Sequence, residues 1–466
     1  MVKSPIYKRR KNNLKYLVLL FWGGVLGYFV VSQWKSFTPQ DLVVNSELSG
    51  REFTAKVQEI ISARHKIKAF LLEDKTNPIV SMNFIFKNAG YTSDDENKQG
   101  LARLVAALLK EGAGEYDAQK LKEELAIRAI DVKFMAEKDD FSVLVKTTKN
   151  NLRKTVELLS LMLKQPRFDN ADILRIKAEL YEAIKRQKEF PAKIVEQEFV
   201  KEVFQKHPYE RNPLGVKENI KKISQKDLVD FVDNNFGKDN LIVGIAGDIS
   251  SKETEKLLDE LFGQLSDKAR IKFVRNAEID FTNTSKKIDK EMAQNIALLA
   301  MPSVGRNHED FYPLFVANHI FGGSGLGSRL SQEIREKRGL TYGIYSYMTL
   351  DDKSQLLMIG FAATKDNFNE ANNILREKIN EFSKNGIAQD DLQKSKDYLT
   401  ASYNLRFASI GTIAQILAAM QKYNLGLDFL QKRNEYIRKV ELNDVNTVIA
   451  KYFDSNNLVG VEVGKF

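Results

Sequence analysis

The chain has 466 residues, too many for one ordinary domain and suited to two domains of about 200 residues each. Its apolar content of 43% and charged content of 29% are typical of a globular protein, and without cysteine it has neither disulfides nor a thiolate metal site. Seven of its nine net positive charges lie before residue 41. The folded part is therefore almost neutral, which argues against nucleic acid as a partner.

Residues 1–40 combine a basic segment with an uncharged run. The run Tyr16–Val31 has sixteen residues, and both tryptophans of the chain lie in it or just after it. A helix of that length spans about 24 Å, and tryptophans favour membrane interfaces. Basic residues precede the run and almost none follow it. We therefore expect a transmembrane anchor with the folded domains outside the cytoplasm, in a bacterial inner membrane facing the periplasm. A cleaved signal peptide and a buried core helix remain alternatives.

Strands and helices are mixed along the rest of the chain, which is typical of an α+β fold. In the first half, strands are predicted at 67–72, 79–87, 132–135, 141–147 and 241–246. Helices are predicted there at 99–110, 150–164, 170–189, 193–206, 227–236 and 251–265. The charged stretch 268–291 is predicted to be a linker. The resulting boundaries are an N-terminal segment at 1–40, a first domain at 41–267 and a second domain at 268–466.

The second half of the chain repeats a pattern of the first. The spacing from Ile220 through Asp227 to Gly247 recurs from Ile437 through Asp444 to Gly464, always 217 residues later and without a gap. Such self-similarity indicates an internal duplication. The sequence therefore predicts two homologous α+β domains.

A glycine-rich unit between residues 318 and 347 is the most distinctive motif. Its glycines are Gly322, Gly323, Gly325 and Gly327. They follow a helix rather than a strand, so they do not match a dinucleotide-binding loop. An amphipathic helix is predicted from Ser328 to Lys337, followed by a turn and a strand. This order places Arg335 near a helix end and Tyr342 at the start of a strand, from where both side chains can face one cavity.

This unit resembles the second-domain signature of the insulinase/pitrilysin-type zinc peptidases, the group that includes mitochondrial processing peptidase. The resemblance implies two α+β domains, each with a mostly antiparallel sheet flanked by helices, that close like a clam shell. It also implies that Arg335 and Tyr342 contact the substrate and the developing oxyanion. The four glycines of the loop would then line the substrate-binding site.

The zinc motif of the family is degenerate in this chain. Catalytic members carry H-x-x-E-H on a first-domain helix, where two histidines bind zinc and the glutamate is the general base. In the corresponding helix, 99–111, the resemblance places Arg103, Ala106 and Ala107 at those three positions. Neither a guanidinium nor a methyl group has a lone pair for a metal. Glu182, or less favourably Glu179, lies in the region of the third ligand, but we interpret it as part of a solvated helix face.

These features predict a non-catalytic member of the family that is not an enzyme on its own and binds no cofactor. By analogy with two-subunit members, it contributes Arg335 and Tyr342 to a metalloendopeptidase heterodimer in which a zinc-bearing homologue supplies metal and base. Unfolded or extended peptides are the expected substrates. An inactive peptide-binding subunit and a purely structural, core-protein-like subunit remain alternatives. Of the four histidines, only His319 is predicted near the cavity, as a packed or capping residue.

Overall fold

A computed structural model describes residues 56–282 and 285–466 of the chain. The segment predicted to be a membrane anchor lies outside these residues. Within them, no helix combines the length and the hydropathy that crossing a bilayer requires.

The strands form two separate sheets, one in each half of the chain. They are β1 Gln58–Ile61, β2 Lys68–Glu73, β3 Ile79–Phe86, β4 Asp131–Ala136, β5 Phe141–Thr148, β6 Leu241–Gly247, β7 Lys286–Asp289, β8 Asn295–Pro302, β9 Gly343–Met348, β10 Leu356–Ala363 and β11 Val459–Gly464.

The α-helices occupy the remaining chain between and after these strands. They are α1 Leu101–Leu108, α2 Ala118–Ile127, α3 Leu152–Lys164, α4 Asn170–Gln187, α5 Pro191–Val203, α6 Lys217–Lys222, α7 Gln225–Asn235, α8 Ser251–Phe262, α9 Phe311–Asn318, α10 Lys365–Asn385, α11 Gln389–Ala401, α12 Ile410–Lys422, α13 Phe429–Arg438 and α14 Leu442–Tyr452.

The two sheets have equivalent topologies. The first has the order β1-β2-β6-β3-β5-β4 and the second has the order β7-β11-β8-β10-β9. The β2–β6 and β7–β11 pairs are parallel and all other pairs are antiparallel. The second sheet thus repeats the first without an equivalent of β1. The expectation of two α+β domains with mostly antiparallel sheets is confirmed, whereas the boundary near residue 267 stays a prediction.

The 217-residue repeat is visible in matching local structures. Ser224 and Asp227 form a capping box at the start of α7, and Glu441 and Asp444 form one at the start of α14. A capping box satisfies backbone amides that the helix itself cannot pair. Each helix ends at a fully buried phenylalanine and leads into β6 or β11.

One prediction about local structure was wrong, and another did not specify the type of helix. Residues 286–289 belong to β7, so the predicted linker 268–291 is too long at its C-terminal end. The predicted helix Ser328–Lys337 is confirmed, and most of it is π-helical, over Ser331–Glu336. Neither difference follows from side-chain periodicity, because β7 is held by its pairing with β11 and a π-turn changes the backbone hydrogen bonds by one residue.

Each half contributes one helix to the sheet of the other half. Helix α5 places Val195, Phe199 and Val203 against residues of β8 and β11. Helix α12 places Ile413 and Leu417 against β2 and β6. Such burial stabilises by about 2 kcal/mol for each large apolar side chain. This exchange of helices joins the two halves through apolar packing on both sheets.

One glycine permits the close approach of α12 to the first sheet. A Cβ atom at Gly244 of β6 would overlap the carbonyl oxygen of Ala414 and lie 2.6 Å from the backbone nitrogen of Ala418. A larger residue would force the helix away from the sheet, because backbone atoms cannot move aside as flexible side chains do.

The tips of the equivalent hairpins β4–β5 and β9–β10 meet at a polar contact that we call the hairpin junction. The Tyr209 hydroxyl donates to Asp139 Oδ1 at 2.6 Å, and the amide of Asp352 donates to Asp139 Oδ2 at 2.9 Å. Lys422 Nζ pairs with Asp140 at 2.5 Å and with Asp352 at 2.8 Å. Burial raises the pKa of Asp139 to about 6. The junction therefore links the two sheets and the exchanged helix α12 through buried charges.

Candidate functional site

Helix α1 is held in place by its buried face and by a buried carboxylate at its N-terminus. It begins after Gly100, whose φ of 104° is in the left-handed region that favours glycine. Asp94 accepts hydrogen bonds from the amides of Gly100 at 2.9 Å and Ala102 at 3.0 Å. Burial raises the pKa of Asp94 to about 7, although these hydrogen bonds oppose the rise. The scaffold of the zinc-motif helix is thus intact.

The three positions of the zinc motif on α1 carry no metal ligand. Arg103 is half-buried and its Nε has no hydrogen-bond partner. Ala106 is buried and Ala107 packs partly against the core. Burial raises the pKa of Glu137, at the tip of the β4–β5 hairpin, and the nearby charge of Arg103 opposes that rise. A fixed positive charge therefore lies at a position that the resemblance assigns to a zinc ligand.

The carboxylates of α4 do not complete a metal site. Glu182 is exposed on α4, in agreement with the interpretation as a solvated helix face. Glu179 accepts a hydrogen bond from Arg175 at 2.9 Å. Among the residues that the structure describes, no group of three or more histidine, cysteine or acidic side chains is arranged to hold a metal ion. The side chains present do not fit zinc.

The glycine-rich unit follows α9 as a π-helical turn, His319–Gly323, and then a 3₁₀ turn, Gly325–Gly327. A Cβ atom at Gly322 would overlap the Ser346 hydroxyl and lie 2.7 Å from the Ser346 nitrogen, so the turn lies directly on β9. Gly325 has a φ of 64°, in the left-handed region. Two of the four predicted glycines therefore have a backbone reason to be glycine. Their contact with a substrate stays a prediction.

Arg335 lies in the second π-helical turn, Ser331–Glu336, and its side chain is 38% exposed. The amide of Gly339 donates to the Arg335 carbonyl at 2.9 Å, which closes the turn into β9. The Arg335 Nε lies 3.5 Å from the carboxylate of Glu336, a long ion pair. Its orientation thus depends on the turn rather than on a strong ion pair.

Tyr342 precedes β9 and is 76% exposed. The residues on either side hold its backbone, because the Thr341 hydroxyl donates to the Ala362 carbonyl at 2.6 Å and Ile344 is buried. Within 56–282 and 285–466, no side chain or backbone group bonds the Tyr342 hydroxyl. A fixed backbone thus presents an unpaired donor to solvent. The predicted positions at a helix end and a strand start are both found, while their joint role in catalysis stays a prediction.

Two family models match most of the described chain. The model described as Insulinase (Peptidase family M16) matches residues 69–216, and the one described as Peptidase M16 inactive domain matches residues 222–399. The chain belongs to the insulinase family, peptidase family M16.

Relatives within the M16 family agree with this assignment. The non-peptidase homolog YmxG of Helicobacter pylori is 26% identical over 86% of this chain and 92% of its own length. The mitochondrial cytochrome b-c1 complex subunit 1 of Caenorhabditis elegans is 19% identical over 91% of this chain and 93% of its own. A crystal structure of a peptidase M16 inactive domain from Pseudomonas fluorescens superposes with a TM-score of 0.82 at 25% identity. It covers 88% of this chain and 98% of that one.

This M16 chain is a peptidase homologue rather than a self-sufficient peptidase. Among the residues that the structure describes, no group of side chains is arranged to hold a metal ion, and the relatives include a protein named as a non-peptidase. Helix α1 keeps its buried face and the hydrogen bond at its N-terminus, so the helix itself is intact.

His319 is a packed residue in this M16 fold. Its Nδ1 lies 2.8 Å from the Ser395 hydroxyl, and its ring stacks on Tyr398 with centroids 5.1 Å apart. Burial lowers its pKa to about 4, so the imidazole is neutral at ordinary pH. This agrees with the prediction of a packed histidine beside the glycine loop.

The π-helical turns on both sides of the loop were not predicted from the sequence. Such turns are frequent at functional sites, and here they flank the loop and carry Arg335. The only available sequence signal was the Gly322-Gly323 pair, which marks a helix end without specifying its type. Leu326, exposed within the loop, was also not singled out.

Proposed function

We propose that this chain is the non-catalytic subunit of an insulinase-type peptidase complex, in which a zinc-bearing homologue supplies the metal and the general base. The observation that carries the proposal is the contrast between two sites. The Tyr342 hydroxyl is exposed and unpaired among the described residues, on a backbone held by buried neighbours. The zinc positions of the same chain are occupied by Arg103, Ala106 and Ala107.

In this complex, Tyr342 and Arg335 act as hydrogen-bond donors toward a peptide held at the partner's active site. The Tyr342 hydroxyl donates to the oxyanion that develops on the scissile carbonyl. The Arg335 guanidinium donates to a substrate carbonyl beyond the scissile bond. Donors aimed at developing charge in a water-poor chamber contribute about 100-fold or more to the rate.

The uncharged run at Tyr16–Val31 supports a membrane-tethered complex. With the basic residues on the cytoplasmic side, the folded domains and the chamber lie in the periplasm of a bacterial cell. Peptides that are unfolded or extended in that compartment are the substrates of the complex.

A second candidate is an inactive peptide-binding or structural subunit. One relative is named as a subunit of the mitochondrial cytochrome b-c1 complex. Strands β4 and β9 are edge strands of their sheets, and an exposed edge can accept an extended peptide as an added strand. In this alternative, the complex binds peptides without cleaving them.

Reconstitution distinguishes these two candidates. The full chain is purified in detergent with proteins that associate with it in native membranes, and a zinc-motif homologue is sought among them by mass spectrometry. Hydrolysis of an unfolded peptide is then measured with each chain alone and with both. We expect hydrolysis only in the mixture. Peptide binding without hydrolysis in the mixture would favour the alternative and contradict the proposal.

A further inference from the structure

A groove lies between the segment 276–281, which precedes β7, and the turn 352–355, which connects β9 to β10. We call it the linker groove. Its volume is about 320 Å³, which is in the range of sites for small ligands. The amide of Ala277 donates to the Lys353 carbonyl at 2.9 Å and fixes one wall to the other. The groove is therefore bounded by two segments that are joined through their backbones.

The turn that forms one wall of the linker groove is also held by the hairpin junction. The amide of Asp352 donates to Asp139 Oδ2 at 2.9 Å, and the amide of Lys353 donates to the Tyr209 hydroxyl at 2.9 Å. Because these bonds use backbone amides, they leave the side chains of Lys353 and Ser354 available to the groove.

The segment 276–281 gives the linker groove an apolar wall. Its alternate residues Ala277, Ile279 and Phe281 line the groove, are half-buried and pack on the apolar cluster that joins α5 to the second sheet. The residues between them, Glu278 and Asp280, are exposed. This wall can therefore cover the apolar part of a ligand, which favours binding by removing apolar surface from water.

The opposite wall of the linker groove carries two polar groups without partners. Ser354 is 6% exposed, and its buried hydroxyl has no hydrogen-bond partner. Over the part of the chain that the structure describes, the Lys353 ammonium forms neither an ion pair nor a hydrogen bond, and it lies 5.6 Å from the ring centroid of Phe273. A buried hydroxyl without a partner is unfavourable, because it has given up its hydrogen bonds to water. An unused donor thus lies next to an unused positive charge.

The acidic residues of the same turn already have cationic partners. Asp352 Oδ1 lies 2.8 Å from Lys422 Nζ, and Asp351 pairs with Lys138. Lys353 therefore supplies the charge of the turn that is still available to a ligand. A carboxylate complements it, since an ammonium group and a carboxylate form a charge-assisted hydrogen bond.

We propose that the linker groove binds a small apolar carboxylate, either a free acid or the C-terminal residue of a peptide. Lys353 pairs with the carboxylate, and the Ser354 hydroxyl donates to one of its oxygens. The apolar part of the ligand packs on Ile279 and Phe281. An apolar wall with a few polar groups is the usual composition of a small-molecule site. The groove uses neither of the two donors assigned to the peptidase complex, so this proposal is independent of the proposed function.

Calorimetric titration of the full chain in a neutral detergent tests the groove with defined probes. The probes are N-acetyl-leucine, its amide, which lacks the charge, and acetate, which lacks the apolar group. We expect one saturable site per chain for N-acetyl-leucine, and binding weaker by about tenfold or more for the other two. An N-acetylated tetrapeptide that ends in leucine distinguishes the two sources of the carboxylate. Tighter binding of this peptide than of N-acetyl-leucine supports a peptide terminus, and binding that is no tighter supports a free acid.

Variants of the two polar residues test whether the probe binds in the groove. Lys353→Gln should weaken the binding of N-acetyl-leucine about tenfold or more, and Ser354→Ala should weaken it about threefold to tenfold. Both substitutions keep the backbone hydrogen bonds of the turn. Lys252→Gln, which removes an exposed lysine of α8, is the charge-matched control and should bind as the wild type does.

Three results would overturn the proposal. They are the absence of saturable binding with every probe, equal binding of N-acetyl-leucine and its amide, and equal binding by the wild type, Lys353→Gln and Ser354→Ala. Ser354→Ala removes a single oxygen atom from the groove, so it remains informative where the lysine variant fails to fold.

Discussion

Helix α1 and the glycine-rich unit that leads into β9 are both built on buried scaffolds, but they differ in what their chemical positions carry. On α1 the cap and apolar face are kept, while the three zinc-motif positions hold an arginine and two alanines. In the glycine-rich unit, the arginine and tyrosine of the family signature are present and accessible to solvent. The packing of a site can therefore persist after its chemistry has gone, since burial alone maintains it.

Metal binding is the property in which we expect the two regions to differ most. We expect the wild-type full chain to retain no stoichiometric zinc after exposure to the metal and dialysis, because Arg103, Ala106 and Ala107 offer no lone pair. The variant Arg103→His/Ala106→Glu/Ala107→His puts two imidazoles four residues apart on α1 and should retain more zinc. Elemental analysis by mass spectrometry makes the measurement. About one tightly held zinc in the wild type would contradict the prediction.

The next largest effect concerns turnover in the reconstituted complex. Tyr342→Phe should lower kcat about 100-fold with little change in KM, because the oxyanion exists only in the transition state. Arg335→Met should also raise KM, because the substrate carbonyl is present in the ground state. Steady-state hydrolysis of an unfolded peptide supplies both constants.

Two control variants test whether this effect belongs to the site. Tyr181→Phe removes a hydroxyl from α4 and Arg153→Gln removes an exposed charge from α3, and both should leave kcat within about twofold of the wild type. If Tyr342→Phe and Arg335→Met both keep the wild-type turnover, the two side chains have no catalytic role and the proposed function is wrong.

Packing of the glycine-rich unit predicts a smaller effect on stability. Gly322→Ala should lower the free energy of unfolding by about 1–3 kcal/mol, because the added Cβ overlaps Ser346 of β9. Gly343→Ala, where nothing lies within 4 Å of the added Cβ, should change it by about 0.5 kcal/mol or less. Urea unfolding followed by circular dichroism compares the two. Equal stability of both variants would show that the turn does not rest on β9 as described.

The two regions should respond to pH in opposite directions. The pKa of Asp94 is about 7, above its ordinary value of 3.8, so its contribution to stability is present below pH 4 and is lost as the pH rises toward 7. The pKa of His319 is about 4, below 6.5, so its contribution is present above pH 6.5 and is lost as the pH falls toward 4.

Variants at the two positions separate these contributions. Asp94→Asn should flatten the fall in stability between pH 4 and 7, and His319→Gln should flatten the loss on acidification. Each substitution should change the slope by up to about 1.4 kcal/mol per pH unit within its window. Unfolding curves between pH 4 and 7.5 give the slopes. If both variants keep the wild-type pH dependence, neither group titrates as its burial implies.

The sequence predicted those parts of the fold that depend on local patterns. The strand Ile79–Phe86 and the hairpin of β4 and β5 were found within one or two residues, because their alternation is local. The 217-residue repeat was visible without any structure. The candidate positions on α1 and around β9 were assigned through the resemblance of their motifs to those of the insulinase family.

The features that were missed depend on tertiary contacts. The sequence of α12 has the periodicity of an ordinary apolar helix. That periodicity does not indicate that the helix covers the sheet of the other half. Arg306 and Tyr423 are far apart in sequence and become neighbours only in the fold. The π-helical turns depend on where the chain must meet β9, which no local propensity encodes.

The exchange of α5 and α12 has a consequence for biosynthesis. The apolar face of the first sheet, with Phe70 and Leu72 of β2, is covered by α12, which the ribosome makes near the end of the chain. The first sheet is therefore left with an uncovered, aggregation-prone surface for most of translation. Each half of the chain is thus a duplicated unit of sequence, but it does not fold independently of the other half. A chain truncated before Ile410 should consequently require chaperone protection rather than fold as a free-standing domain.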